Sequence, residues 1–198
     1  MKHETSLALY AYWQSCHRET GVPPLGIRAT ELAPILPSLF LVELDLAAGL
    51  QFRFCGATMA TRYGRDLTDS SFLELWNPED RETLLQSVRL MASRTTGLVA
   101  GVMGESVAGG FTSFEMLLLP LAGEARAAGA IGSMVRIGGH EEVNRIRAKL
   151  SSQRLRSVRF LPAEKKRTRD RYLPDMQPAM VSQVRRRYGH LTVVSGGK

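Results

Sequence analysis

The chain has only two cysteines in 198 residues. Cys16 and Cys55 lie far apart and form no CxxC pattern, which argues against both a disulfide framework and a zinc site. The expectation is a cytoplasmic protein with both thiols reduced. No apolar run approaches the ~20 residues that a membrane helix needs. The first ten residues, MKHETSLALY, carry charge and no long apolar core, so they do not read as a secretory signal. Catalytic constellations are missing as well. There is no Ser-His-Asp set, no HExxH and no phosphate-binding loop. Gly97, Gly101, Gly104 and Gly109 fall in strand-like sequence, not between a strand and a helix, so they make no dinucleotide fingerprint. Such glycines relieve crowding or mark bulges. The expectation is a protein that is not an enzyme and holds no metal.

What the chain does have is a marked division of charge. The formal net charge is +7. From His140 onward there are 15 Lys and Arg against 5 Asp and Glu, a local +10. The first 139 residues are therefore mildly acidic, and the basic character belongs to the tail. Hydrophobic content of 44% is enough for one buried core. Three parts are expected: a flanking helix over 1–24, a domain over 25–139 and a basic extension over 140–198.

The stretch from Ser38 to Leu75 organises the domain. Leu39 to Leu46 is apolar except for Glu43 and Asp45, and Ala47-Ala48-Gly49 is a turn. The next run alternates, with Phe52, Phe54 and Gly56 on one face and Gln51, Arg53 and Cys55 on the other, which predicts a half-buried strand. Ala57 to Tyr63 is helix-compatible, and Gly64 stands where a helix end favours positive φ. Before this stretch, Thr5 to Glu19 reads as a helix with a stripe of Leu7, Tyr10, Trp13 and His17. A short helical segment over Thr30 to Leu36 follows.

After it, Arg65 to Ser71 is a loop and Phe72 to Trp76 an apolar turn. Asn77, Pro78, Glu79 and Asp80 form a strong helix start, with Asn77 as N-cap and Pro78 at the first helical position. That helix extends to about Arg94, with Leu84, Leu85, Val88 and Met91 inward. Three strand-like runs follow: Gly97 to Ala108, Phe111 to Leu121 and Ala130 to Ile137. Glu141 to Leu155 has apolar residues three or four apart (Val143, Ile146, Leu150) and reads as a charged helix leaving the domain. Few apolar residues follow it, so an extended or disordered tail is expected. Five antiparallel strands with helices between the second and third make an α+β domain.

This order of elements resembles the PAS domain, and more narrowly the single-domain alpha-proteobacterial type called PAS_5. The resemblance rests on Tyr12-Trp13, Leu36-Pro37-Ser38-Leu39-Phe40-Leu41 and Phe52-Arg53-Phe54-Cys55-Gly56. It also rests on Tyr63-Gly64-Arg65-Asp66-Leu67-Thr68 and Leu119-Pro120-Leu121, with the tail's Gly189-His190-Leu191 as a weaker match. It spans Ser6 to Ile137. It implies a five-stranded antiparallel sheet with a helical flank, in a module that senses a small ligand or mediates signalling contacts. Haem-binding members offer a histidine from the helix after the loop. Here that helix, Pro78 to Arg94, has none, and His3, His17, His140 and His190 all lie outside the expected pocket. Flavin photoreceptors of the family carry an Asn-Cys-Arg-Phe motif after the second strand, and Cys55 lies inside that strand without it. No cofactor is expected.

Four groups of residues are candidates for a functional surface. Phe54, Met59, Tyr63, Trp76, Phe114 and Met134 are placed by element to line a space between sheet and helices, although such residues also build ordinary core. Arg65 could meet an anionic ligand, or pair at the surface with Asp66 or Glu74 for at most ~1 kcal/mol. Leu7, Tyr10 and Trp13 either pack on their own sheet or join two chains as a homodimer. In the tail, Lys165, Lys166, Arg167 and Arg169 are followed by Arg171 and Tyr172, and Arg185, Arg186 and Arg187 precede Tyr188. These clusters suit nucleic-acid phosphates, an anionic membrane surface or a solvated linker. The leading expectation is a non-enzymatic sensory or regulatory protein of bacterial signalling that binds a small ligand or a signalling partner. A ligand-free docking adaptor, and a nucleic-acid or membrane-surface binder acting through the tail, are the alternatives.

Overall fold

In a computed structural model of the chain, the structure describes residues 1–20, 29–45, 49–122, 128–138 and 149–161, with the backbone of 187–188 and 191–192. Two units separate, Met1–Glu164 and Lys165–Lys198. In the second, Arg187–Tyr188 pairs antiparallel with Leu191–Thr192. The basic residues Lys165, Lys166, Arg167, Arg169, Arg185 and Arg186 lie outside the described residues.

The first unit is built on six antiparallel strands: β1 (Leu39–Asp45), β2 (Gly49–Cys55), β3 (Leu98–Ser106), β4 (Phe111–Leu121), β5 (Ala128–Arg136) and β6 (Leu150–Phe160). Their order across the sheet is β2-β1-β5-β4-β3-β6. Helix α1 (Glu4–Thr20) covers one face. The short α2 (Ala29–Leu32) follows it. Helices α3 (Ala57–Tyr63) and α4 (Pro78–Arg94) lie between β2 and β3 in sequence, and their buried residues join the core on the opposite, inner face. Alternation along the strands sends residues to two separate clusters. Phe40, Val42, Ala100, Val102, Phe114, Met116 and Leu118 pack inward with Met59, Trp76, Leu84, Val88 and Met91. Leu39, Val99, Leu117, Leu119 and Ile131 pack outward with Leu9, Trp13 and Leu32. The fold is a mixed helix and antiparallel-sheet domain, as the sequence predicts, with one strand more.

Four local expectations need correction. The first concerns α1, whose buried stripe is Thr5, Ser6, Leu9 and Trp13, while Leu7 is 49% exposed. Trp13 sets the face, because its indole N–H donates to the Pro120 carbonyl at 2.8 Å. Tyr10 and His17 stack on either side of that indole.

The second concerns β2. Leu41 pairs with Phe54 but Val42 with Phe52, so Arg53 is an extra residue on β2. This bulge reverses the alternation beyond it. Phe52 packs in the inner cluster, Phe54 against the outer one and Cys55 against the inner one. Arg53 itself points to solvent, where its guanidinium pairs with Glu43 and approaches Asp69.

The third concerns Asn77. It occupies the N-cap position of α4 but makes no capping bond. With its amide turned so that the oxygen meets the guanidinium, Asn77 Oδ1 accepts from Arg154 Nε at 2.8 Å and Nη2 at 3.2 Å.

The fourth concerns the helix expected over Glu141 to Leu155. Residues 141–148 lie outside the described residues, and from Leu150 onward the chain is β6, paired along the free edge of β3. Two bulges, at Ser151 and Arg156, interrupt the pairing. They place Leu150, Gln153, Leu155, Val158 and Phe160 on or against the inner core. Those inward positions are spaced three, two, three and two residues apart, which is why the segment shows no clean period of two.

Candidate functional site

The candidate site lies where α3 and the start of α4 pack on the inner face of β3, β4 and β6. Gly56 opens it by letting α3 turn off the end of β2 against the backbone of the preceding turn. A Cβ there would stand 2.4 Å from the Pro37 carbonyl and 2.6 Å from that of Leu36. Gly64 closes α3 at φ +66°, and its N–H reaches back to the carbonyls of Ala60 and Thr61. The turn Phe72–Leu75 carries Phe72 into ring contact with Phe40, Phe52 and Trp76.

The beginning of α4 is stitched to β6. Trp76 and Gln153 form a parallel bridge, the Asn77 N–H donates to the Gln153 carbonyl at 2.9 Å, and the Leu155 N–H donates to Asp80 Oδ2 at 2.9 Å. Gln153 in turn pairs with Gly104 on β3. A Cβ on Gly104 would come within 2.8 Å of the Phe114 ring. Over that ring lies the Arg62 guanidinium, with its carbon 4.5 Å from the centroid. Pairings and contacts thus connect Trp76, Gln153, Gly104, Phe114 and Arg62, and Tyr63 follows Arg62 at the end of α3.

Along this path, buried polar atoms lack partners. The Tyr63 hydroxyl, the Trp76 indole N–H and both ends of the Gln153 amide are enclosed and make no hydrogen bond. Gln153 is 0% exposed. A buried polar group left in that state costs about 1–3 kcal/mol. Groups this costly ordinarily meet water or a ligand. Elsewhere among the described residues the buried unpartnered atoms are the hydroxyls of Ser6, Thr96 and Ser133 and one ring nitrogen of His17.

Burial also governs the titrating groups here. The Tyr63 phenol is pushed well above its ordinary range, with the Arg62 charge opposing the shift only in part. Burial raises the Cys55 thiol, and the backbone of Leu67 works against it. Burial lowers the proton affinity of Arg62. At the surface, the Asp66 carboxyl accepts from the Thr68 N–H at 3.0 Å and hydroxyl at 2.8 Å, which holds its pKa down.

Of the candidate ligand residues, the structure brings Met59, Trp76, Phe114 and Met134 into the inner core, with Tyr63 packed against it. Phe54 lies across the sheet, turned there by the bulge. Arg65 is exposed in the loop. Of the candidate partner residues, Trp13 is buried on its own sheet, Tyr10 is half-buried beside it and Leu7 is exposed. Sequence reasoning missed Arg62 and Gln153. The sequence does hold a signal for Arg62, since it lies three residues after Met59 and shares its helix face. For Gln153 there is none, because only the β3–β6 register places it.

A family model described as PAS_5, PAS domain, matches residues 1–135. Solved structures of similar fold include a light-oxygen-voltage domain studied with a flavin analogue, at 12% identity and a TM-score of 0.44, covering 55% of this chain and 83% of that one. A Rhodobacter sphaeroides LOV protein matches at 14% identity and a TM-score of 0.42, covering 54% of this chain and 61% of the other. The PAS domain of a Colwellia psychrerythraea protein matches at 18% identity and a TM-score of 0.42, covering 55% and 95%. Among curated proteins, none matches.

Proposed function

The chain belongs to the PAS_5 family of PAS domains, and from that premise we propose that it is a non-enzymatic sensory or regulatory protein of signalling whose input is a small molecule held inside the domain. One observation carries this reading: the phenol of Tyr63, the indole of Trp76 and the amide of Gln153 are enclosed on the inner face without partners. A ligand that supplies those hydrogen bonds stabilises the folded state by mass action. It acts as a signal by binding two conformations unequally. The element poised to respond is β6, since α4 grips it through Asn77 and Asp80. No helix among the described residues is long and apolar enough to cross a membrane, which is consistent with a cytoplasmic site of action.

A second reading has a single observation in its favour. Leu7 stands exposed on α1, where a second copy of the chain could pack to form a homodimer that docks a signalling partner. Native mass spectrometry of the untagged protein taken directly from its host separates the two. The sensor reading expects a discrete mass beyond the 21.9 kDa of the chain, lost on denaturation. A bare dimer favours the docking module, and bare monomer counts against both.

A further inference from the structure

We propose that Arg62 is the anchor for a small organic acid, with its guanidinium meeting the carboxylate and the ligand's apolar body lying against Phe114, Met59 and Met134. The inference rests on the ligand reading above and names the ligand's chemistry. Arg62 Nη1 donates to the Met134 carbonyl at 3.1 Å and touches the Met59 sulfur at 3.5 Å. The guanidinium carbon lies over the Phe114 ring. These contacts hold the group in one orientation but occupy only one of its nitrogens, and a guanidinium carries five N–H donors in a rigid fork.

Among the described residues, no carboxylate lies within ion-pair reach of Arg62. The nearest acid along the chain, Asp66, is turned to Thr68. Arg62 is half-buried, so its charge is solvated in part, and an anion on its remaining N–H donors would add a charge-assisted pair. The surroundings favour an anion over any other occupant. The Lys149 ammonium lies beside the end of α3, so close that a Cβ on Gly64 would stand 2.6 Å from it. Arg65 follows in the adjoining loop. Both are exposed, so their attraction for an anion is screened by solvent and acts as a modest steering field.

The remaining groups on the path select an organic molecule, not an inorganic ion. Phe114, Met59 and Met134 offer apolar contact, while the Trp76 N–H, the Tyr63 hydroxyl and the Gln153 amide offer neutral hydrogen bonds. A planar carboxylate suits the planar fork in a bidentate pair.

The test compares acids with their primary amides, which match in shape and lack the charge. Hexanoate, benzoate and 3-phenylpropanoate, each beside its amide, are titrated into the exhaustively dialysed full chain at constant ionic strength. Binding is read by calorimetry and by the rise in Tm. At least one acid is expected to bind tenfold or more tightly than its amide. Arg62→Met is expected to bind that acid no better than the amide, and Arg62→Lys, which keeps the charge without the fork, to fall between. Equal binding of acid and amide, or full acid affinity in Arg62→Met, overturns the anchor while leaving an internal ligand in place. Failure of all three acids overturns the anchor as well, and the native mass then decides the broader reading separately.

Discussion

Gly56→Ala is the sharpest probe of how α3 is set against the sheet. Gly56 has φ −66° and ψ 155°, a conformation any residue adopts, so no backbone strain attends the substitution. Its effect comes from space alone. The added carbon would lie 2.4, 2.6 and 2.7 Å from the carbonyl oxygens of Pro37, Leu36 and Leu39. Comfortable C···O contact begins near about 3.3 Å, so each oxygen must withdraw by roughly 0.6–0.9 Å. The Leu39 carbonyl also accepts the Gly56 N–H at 2.9 Å, and withdrawal breaks that bond. Overpacking costs about 1–3 kcal/mol and the lost bond about 1 kcal/mol. Reduced freedom of the unfolded chain offsets this by about 0.4–1 kcal/mol. The net loss is about 1–3.6 kcal/mol, or a fall in Tm of roughly 2–14 °C for a chain of this size. Urea unfolding followed by circular dichroism should show a lower midpoint with an unchanged slope. Gly109→Ala is the control: Gly109 has φ +84° with nothing within 4 Å of its Cβ position, so it loses only about 1 kcal/mol from backbone strain. A Gly56→Ala loss no larger than the Gly109→Ala loss would refute the close approach.

Three further outcomes follow from the same geometry. Tyr63→Phe removes a buried hydroxyl that has no partner, so the unliganded protein should keep its stability or gain about 1 kcal/mol, measured by urea midpoint at pH 7. The Tyr63 phenol has its pKa raised in the folded state. Its contribution is therefore present below the unfolded tyrosine value of about 10 and lost as pH rises beyond it, and Tyr63→Phe should lose less stability than wild type above that pH. In a Cys16→Ser background, burial of the Cys55 thiol should make its labelling by a disulfide reagent climb through pH 9 without levelling, and a plateau below pH 9 would contradict that placement. Trp13→Phe leaves the Pro120 carbonyl without its indole donor and should cost about 1–3 kcal/mol by the same urea assay, with no effect on any acid that binds through Arg62.

The parts of this domain written in local signals are legible in its sequence. Pro78 marks the start of α4 and Gly64 the end of α3, because a first-turn proline and a positive φ depend on near neighbours alone. The five strands β1 to β5 follow from the resemblance as much as from pattern, and their order across the sheet comes from the structure. The bulge at Arg53 is not legible. A bulge adds one residue without changing the alternating letters, and only the pairing with β1 reveals that Phe54 has crossed the sheet. The strand β6 is hidden for a related reason, since two bulges give its inward residues a mixed spacing that suits neither helix nor strand. With β6 unseen, Gln153 could not be placed, and the pairing of a basic side chain with the interior at Arg62 was masked by the ordinary look of an exposed helical arginine. The candidate site is thus half legible: its apolar lining follows from element positions, and its polar groups follow from register.

The two tryptophans make one experiment decisive. Trp13 lies on the outer face, with its indole N–H bonded to Pro120. Trp76 lies on the inner face, with its indole N–H unpartnered. Each gives one indole resonance in a ¹H–¹⁵N spectrum, assigned by Trp13→Phe. Titration with the small-molecule extract of the host cell should move the Trp76 indole peak, as its N–H gains an acceptor, and leave the Trp13 peak in place. A Trp76 peak that stays fixed, or movement confined to Trp13, would contradict a ligand held on the inner face of the sheet.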